Sequence, residues 1–235
     1  MAKRLAKRFY KRVSVEKSAD RWVVLLDGMQ LRTPGKQKLD LPTEGLAQKV
    51  ATEWEAQTDR INPSIMPVTR LVNVAFEQTP LRRNELIDEA ERYVRTDLIC
   101  YRAEQPRILL ERQAKAWDVW RDWGETQGIK LQVTHTLSAI DQADKSIENV
   151  RAYAASLDDI ALTLFVHLVA VYGSVILAMA VMRGEVTADQ AFDLSRIEQT
   201  YQIELWGEDE EQAEIDAALR AETTLLGKLL ENLNG

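Results

Sequence analysis

The sequence predicts an α+β protein: a small N-terminal α/β domain over residues 1–80, followed by a helical bundle over residues 81–235. Three observations lead there. Strand-like alternation and turn residues crowd into the first forty positions. From about Leu81 the chain reads as successive helical segments with almost no Gly or Pro inside them. Between them, INPSIMPVTR carries Pro63 and Pro67 and marks the change of character near residues 75–85.

Arg21–Thr33, RWVVLLDGMQLRT, reads as two short strands joined at Asp27-Gly28. A type I′ hairpin turn needs positive φ at both central residues, which Asp-Gly tolerates, so Asp27 and Gly28 are assigned a structural role. KQKLDL alternates as a third strand. Pro42-Thr43 ends it, and Thr43 is placed to cap a helix through TEGLAQKVATEWEAQ. Leu46, Val50 and Trp54 recur every four residues there, which puts them on one core-facing side and makes Trp54 a folding residue. Beyond Leu81 come LRRNELIDEAERYVRTDLICY and PRILLERQAKAWDVWRDWGETQG, with Pro106 in the first turn of the second. A strand-like IKLQVTH follows Gly128. Helices resume at DKSIENVRAYAASL, at an uncharged run, at TADQAFDLSRIEQTYQIELWG, and in an acidic tail helix to Leu233.

The uncharged run, IALTLFVHLVAVYGSVILAMAVM from Ile160 to Met182, is long enough as one helix to cross a bilayer core of roughly 30 Å. Thr163, His167, Tyr172, Gly173 and Ser174 interrupt it with groups that want partners. Ala161, Ala170, Gly173, Ala178 and Ala180 would let neighbouring helices approach closely, and Gly173 is counted structural. A helix apolar all round suits the centre of a bundle, so the run is expected to be the buried axis of the C-terminal domain.

The totals agree with a soluble globular protein of one or two domains: 46% hydrophobic and 29% charged residues in 235, with a net charge of -7. A net acidic chain argues against sequence-independent nucleic-acid binding, which depends on neutralising phosphates. With Cys100 alone no internal disulfide can form, which suits a reducing compartment. Cys100, His135 and His167 do not build a zinc site without carboxylates, and neither metal nor cofactor is expected. The basic start, with Lys3, Arg4, Lys7, Arg8, Lys11 and Arg12, is read as a solvated arm of the mature protein. No apolar h-region follows it.

Little catalytic chemistry emerges. DGMQLRTPGK fails as a phosphate loop because six residues, not four, separate Gly28 from Gly35, and Gln37 follows Lys36. His167 reads as a hydrogen-bonded core histidine and Cys100 as a buried small hydrophobe. Trp117, Trp120 and Trp123 drift around their helix, so one or two belong to the core and one to a groove. Glu208, Asp209, Glu210 and Glu211 supply negative charge to the start of the last helix. The alternative is a small hydrolase working through those carboxylates. A binding protein is the better reading.

Several stretches together resemble a known family, the assembly chaperones of F-type ATP synthase that bind its alpha subunit. They are LDGMQLRTP, ATEWEAQ with INPSIMPVTRLVN, RTDLICYRAEQP with LLERQAKAWD, YGSVILAMAV, and SRIEQTYQIELWGEDEE, in family order across about residues 9–215. The resemblance implies a C-terminal orthogonal helical bundle, and binding rather than catalysis. It implies a partner, the unassembled alpha subunit, shielded until the beta subunit replaces the chaperone. It matches the family's acidic position to Glu198, with Arg196, Tyr201, Gln202, Trp206 and Gly207 completing the motif and Glu210 beside it. Helical spacing places Glu198, Gln202 and Trp206 on one face. The arm does not resemble a long import presequence, which implies a bacterial member in the cytoplasm; an import signal there would mean the mitochondrial matrix. Nothing suggests a heptad-type dimer seam, so a monomer is expected.

Overall fold

The structure, a computed structural model, describes residues 5–136 and 140–233, with side chains through residue 230. Lys3 and Arg4 of the basic arm lie outside the described residues. The chain divides into two compact units, one of residues up to Arg82 together with Lys228 onward, the other Arg83–Gly227.

The first unit is built on an antiparallel sheet of order β1-β2-β3, with β1 at Val13–Ser18, β2 at Arg21–Leu26 and β3 at Met29–Gln30. The β2–β3 connection is the expected two-residue hairpin: Leu26 pairs with Met29, and Asp27 and Gly28 have φ of 48° and 82°. The Asp27 carboxylate also accepts from the backbone N–H groups of Arg12 at 2.8 Å and Lys11 at 3.1 Å. Those bonds lower its pKa, so it secures the chain entering β1. β1 was not anticipated. KQKLDL, in turn, is not a third strand. It makes only isolated bridges, Lys38 to Arg32 and Leu41 to Trp22, because its hydrogen bonds go to two different segments. Its alternation is nonetheless real, since Leu39 and Leu41 are fully buried.

Helix α1, Glu44–Glu55, starts as expected at Thr43, whose hydroxyl accepts from Leu46 N–H at 3.3 Å. Leu46 and Val50 are buried against the sheet side, whereas Trp54 is only half-buried. Its ring lies 5.6 Å from that of Tyr10, whose hydroxyl donates to the Trp54 carbonyl at 2.7 Å. Sequence reading missed Glu53. Its buried carboxylate accepts from Val68 and Thr69 N–H at 2.8 and 2.7 Å, in the first turn of α2, Pro67–Glu77. Burial raises its pKa, opposed by those bonds. A carboxylate there satisfies orphan donors and complements the positive helix end.

The second unit is helical. Helix α3, Thr79–Arg95, leaves helical geometry at Arg82, where the division between units falls. The expected single helix from Leu81 to Tyr101 ends early, because Asp97 opens a short 3-10 turn at Leu98–Cys100. Then follow α4 at Arg107–Thr126, α5 at Asp144–Ser156, α6 at Asp159–Tyr172 and α7 at Val175–Met182. Helices α8, Ala188–Ser195, α9, Ile197–Trp206, and α10, Glu210–Leu233, follow, the last belonging to this unit as far as Gly227. IKLQVTH forms no strand. Only Thr134 bridges Tyr101, and Gln142 and Ser146 side chains take up Gln132 N–H and Lys130 N–H instead. Trp117 is buried and donates to the Leu194 carbonyl at 2.8 Å, while Trp120 and Trp123 are half-buried. Cys100 is buried, accepts a weak bond from Gln142 at 3.7 Å, and its thiol pKa is pushed up chiefly by burial. His167 is half-buried.

The uncharged run is two helices, not one. Gly173, at φ 65°, ends α6 in the left-handed region, and the Ser174 hydroxyl caps α7 by accepting from Leu177 N–H at 3.1 Å. No described helix is long and apolar enough to cross a membrane. All eight residues of α7 are buried, and it packs against α4, α6 and α8. Its buried N-terminus is held by Asp97, whose carboxylate accepts from Val175 N–H at 2.7 Å and Ile176 N–H at 3.3 Å. Asp97 is fully buried, and burial lifts its pKa from the ordinary 3.8 to about 6 against the pull of Ser174 and three backbone N–H groups.

Asp97→Ala should lower unfolding free energy by on the order of 3 kcal/mol, read by urea denaturation, because it strands buried N–H groups. A group that holds its proton more tightly when folded adds stability below its unfolded pKa and loses it as pH rises through the folded one. Compared with Asp97→Asn, the wild-type urea midpoint should therefore decline as pH rises from about 4 to about 7. A flat difference would show that Asp97 does not titrate in this window. Gly173→Ala should cost about 1 kcal/mol through its positive φ, seen as a lower Tm.

Candidate functional site

The expected single helix from Thr187 to Gly207 breaks at Arg196, whose φ of −113° departs from helix. No proline or glycine causes this. The Ser195 hydroxyl donates to the Phe192 carbonyl at 2.7 Å, a local bond that competes with the helical ladder. The Arg196 guanidinium is drawn to Asp216, 3.6 Å away. The break starts α9 afresh, and none of its ten residues is buried.

Three sides of α9 have different occupants. One faces α4, where Arg112 pairs with Glu204 at 2.7 Å and its guanidinium lies 5.4 Å from the Tyr201 ring centroid. A second faces α10, where Gln199 donates to the Asp216 carboxylate. The third is open. It carries Glu198, Gln202, Leu205 and Trp206, with Gln202 donating to Glu198 at 3.5 Å. Leu205 is 54% and Trp206 77% exposed.

Beside this stripe runs a groove of about 480 Å³ between α8, α9 and the first half of α10, lined by Phe192, Ile203, Trp206, Ala213 and Ala217 among others. Its cations are already engaged. The guanidinium groups of Arg196 and Arg220 lie 4.5 and 5.0 Å from the Phe192 ring centroid. Arg196 neighbours Asp216, and Arg220 pairs with Asp189 at 2.7 Å and with Asp193. Glu208 lines the groove as well, and carboxylates are in surplus along this part of the chain. Between Ile197 and Leu219 the chain has no Lys or Arg. Among the described residues Glu198, Glu208, Glu210, Glu211 and Glu214 have no ion pair.

The seven residues assigned to the partner site thus separate. Glu198, Gln202 and Trp206 share the open side. Arg196 lies in the groove wall, and Tyr201 turns toward α4. Gly207, at φ 87°, ends α9, and Glu210 begins α10. Leu205 was missed; its signal was the seven-residue spacing from Glu198, two helical turns along the same side. The hydrolase alternative asked for a cleft with two of the acids at 208–211, and Glu208 and Asp209 do line the groove. Asp209, however, caps α10 by accepting from Gln212 N–H at 2.8 Å, and Asp193 and Asp216 are engaged by arginines. No group of three metal-ligating side chains occurs among the described residues.

The family model of the ATP12 chaperone protein matches residues 7–125. The chain belongs to the ATP12 chaperone family. That match ends within α4, but whole-chain similarities extend over α9 and the groove. The crystal structure of Atp12 from Paracoccus denitrificans is similar at 40% identity and a TM-score of 0.91, covering 96% of this chain and 97% of that one. The Atu1473 protein of Agrobacterium tumefaciens is similar at 35% identity and a TM-score of 0.91, covering 97% and 87%. The mitochondrial protein atp12 of Schizosaccharomyces pombe is 25% identical over 223 residues, 89% of this chain and 77% of that protein. The α+β architecture agrees with these structures, and membership makes the protein an assembly chaperone of ATP synthase by class.

Trp206→Ala should leave the Tm nearly unchanged, within about 0.5 kcal/mol of stability, because the side chain is solvated. Trp117→Ala should cost about 3–5 kcal/mol in the same thermal melt. Equal losses would show that Trp206 is part of the core.

Proposed function

We propose that this protein binds the unassembled alpha subunit of F-type ATP synthase and covers its subunit interface until the beta subunit replaces it. The observation that carries this reading is the open side of α9, where a 77% exposed tryptophan stands beside an exposed leucine, a carboxylate and an amide. Large aromatic side chains next to polar groups are what hot spots are made of, and exposing one to water has no benefit for the isolated fold. An orphan subunit of an obligate complex presents an apolar interface that associates wrongly unless covered. The protein works by binding, without a catalytic step, and acts as a monomer. Its greater identity to the two bacterial structures than to the mitochondrial relative favours the bacterial cytoplasm.

The test is a pull-down with alpha and beta subunits expressed separately. Alpha should be retained and beta should pass through; retention of neither overturns the proposal. Glu198→Lys should abolish capture with the circular dichroism spectrum unchanged. Loss of the folded spectrum would make Glu198 structural and remove it from the interface.

A further inference from the structure

The groove beside the α9 stripe has a chemistry of its own. Its lining is mixed: apolar Ile203 on one wall faces small Ala213 and Ala217 on the other, with the polar side chains of Gln199, Gln202 and Gln212 among them. The small alanines leave room for an inserted side chain opposite Ile203. The charge left over at this groove is negative: Arg196 and Arg220 are committed to Asp216, Asp189 and Asp193, Asp209 caps α10, and Glu208 lines the groove without an ion pair.

The positive end of α10 explains Glu210 and Glu211, which sit in its first turn. It does not explain Glu198, on another helix. Like charges gathered without counterions raise the energy of the free protein, and a partner that supplies cations relieves it.

We infer that the α9–α10 groove is the seat of a basic, amphipathic segment of the alpha subunit, one whose apolar side chain enters between Ile203 and Ala217 while flanking Lys or Arg side chains meet Glu208 in the groove and Glu198 on the open side beside it. This deepens the alpha-subunit reading and rests on it. The charge contributes mainly to encounter and orientation, the apolar insertion to residence. Exposed carboxylates steer an oppositely charged partner over roughly a Debye length, about 10 Å at 0.1 M salt, so the effect is sensitive to ionic strength.

Two full-length variants test it by surface plasmon resonance against immobilised, purified alpha subunit. The first neutralises the two acids of the proposal, Glu198→Gln and Glu208→Gln together. The second fills the groove, Ala217→Trp, at an exposed position where the fold tolerates a larger side chain. The wild-type association rate should fall at least about tenfold between 50 and 500 mM salt. The neutralised variant should bind about tenfold more slowly at low salt and lose most of that dependence. The filled variant should keep its association rate within about threefold but dissociate at least about tenfold faster. Unchanged binding by either variant overturns the groove assignment while leaving the alpha-subunit reading intact. No complex with the wild-type chain overturns both.

Discussion

The second unit depends on one buried carboxylate. Helix α7 is apolar on every side and wholly buried, so its first backbone N–H groups have no water to turn to. Asp97 meets them from 78 residues away, where α3 has ended. Burying a carboxylate is unfavourable, as its raised pKa records, and the cost is offset by three backbone N–H groups and the Ser174 hydroxyl. With α7 fixed, α4, α6 and α8 have a common surface to pack on. Glu53 plays the same part in the first unit, closing the start of α2 from α1. Each unit thus uses an acid from one element to end another.

The working surface follows from where this packing stops. Helix α8 is tied into the core through Phe192, but the break at Arg196 releases α9, which buries nothing. What remains is a short helix held on two sides, by Arg112 from α4 and by Asp216 from α10. Its third side is free to present Trp206 in a fixed direction. An interface needs that combination, because a rigid anchor loses little conformational entropy on binding. The acids that follow, from Glu208 to Glu214, then give the anchor an electrostatic setting.

Features determined locally were legible in the sequence. Asp27-Gly28 announced its hairpin because two adjacent residues meet the whole requirement of the turn, and Thr43 announced α1 for the same reason. Hydrophobic periodicity found the helices but overran their ends. The break at Gly173-Ser174 left a signal, a left-handed glycine beside a capping serine, which the surrounding apolar run outweighed. The break at Arg196 left none, since it depends on Ser195 and on Asp216 arriving from α10. KQKLDL and IKLQVTH alternate as strands do, but no continuous partner strand reaches them, and a ladder is a property of two segments. Helical spacing likewise grouped Glu198, Gln202 and Trp206. It could not orient Arg196 or Tyr201, whose directions are set by α10 and α4, and it passed over Leu205, whose exposure is evident only once neighbouring helices are placed.

If a partner covers α9 and the start of α10, these segments must change more than any others when it binds. Hydrogen–deuterium exchange of the full chain, with and without saturating alpha subunit, reads this directly. Peptides spanning residues 197–217 should gain protection, while α7, held by Asp97 at its buried end, should exchange as slowly in the free chain as in the complex. Protection gained only in segments away from residues 197–217, with α9 unaltered, would contradict the assignment of this surface.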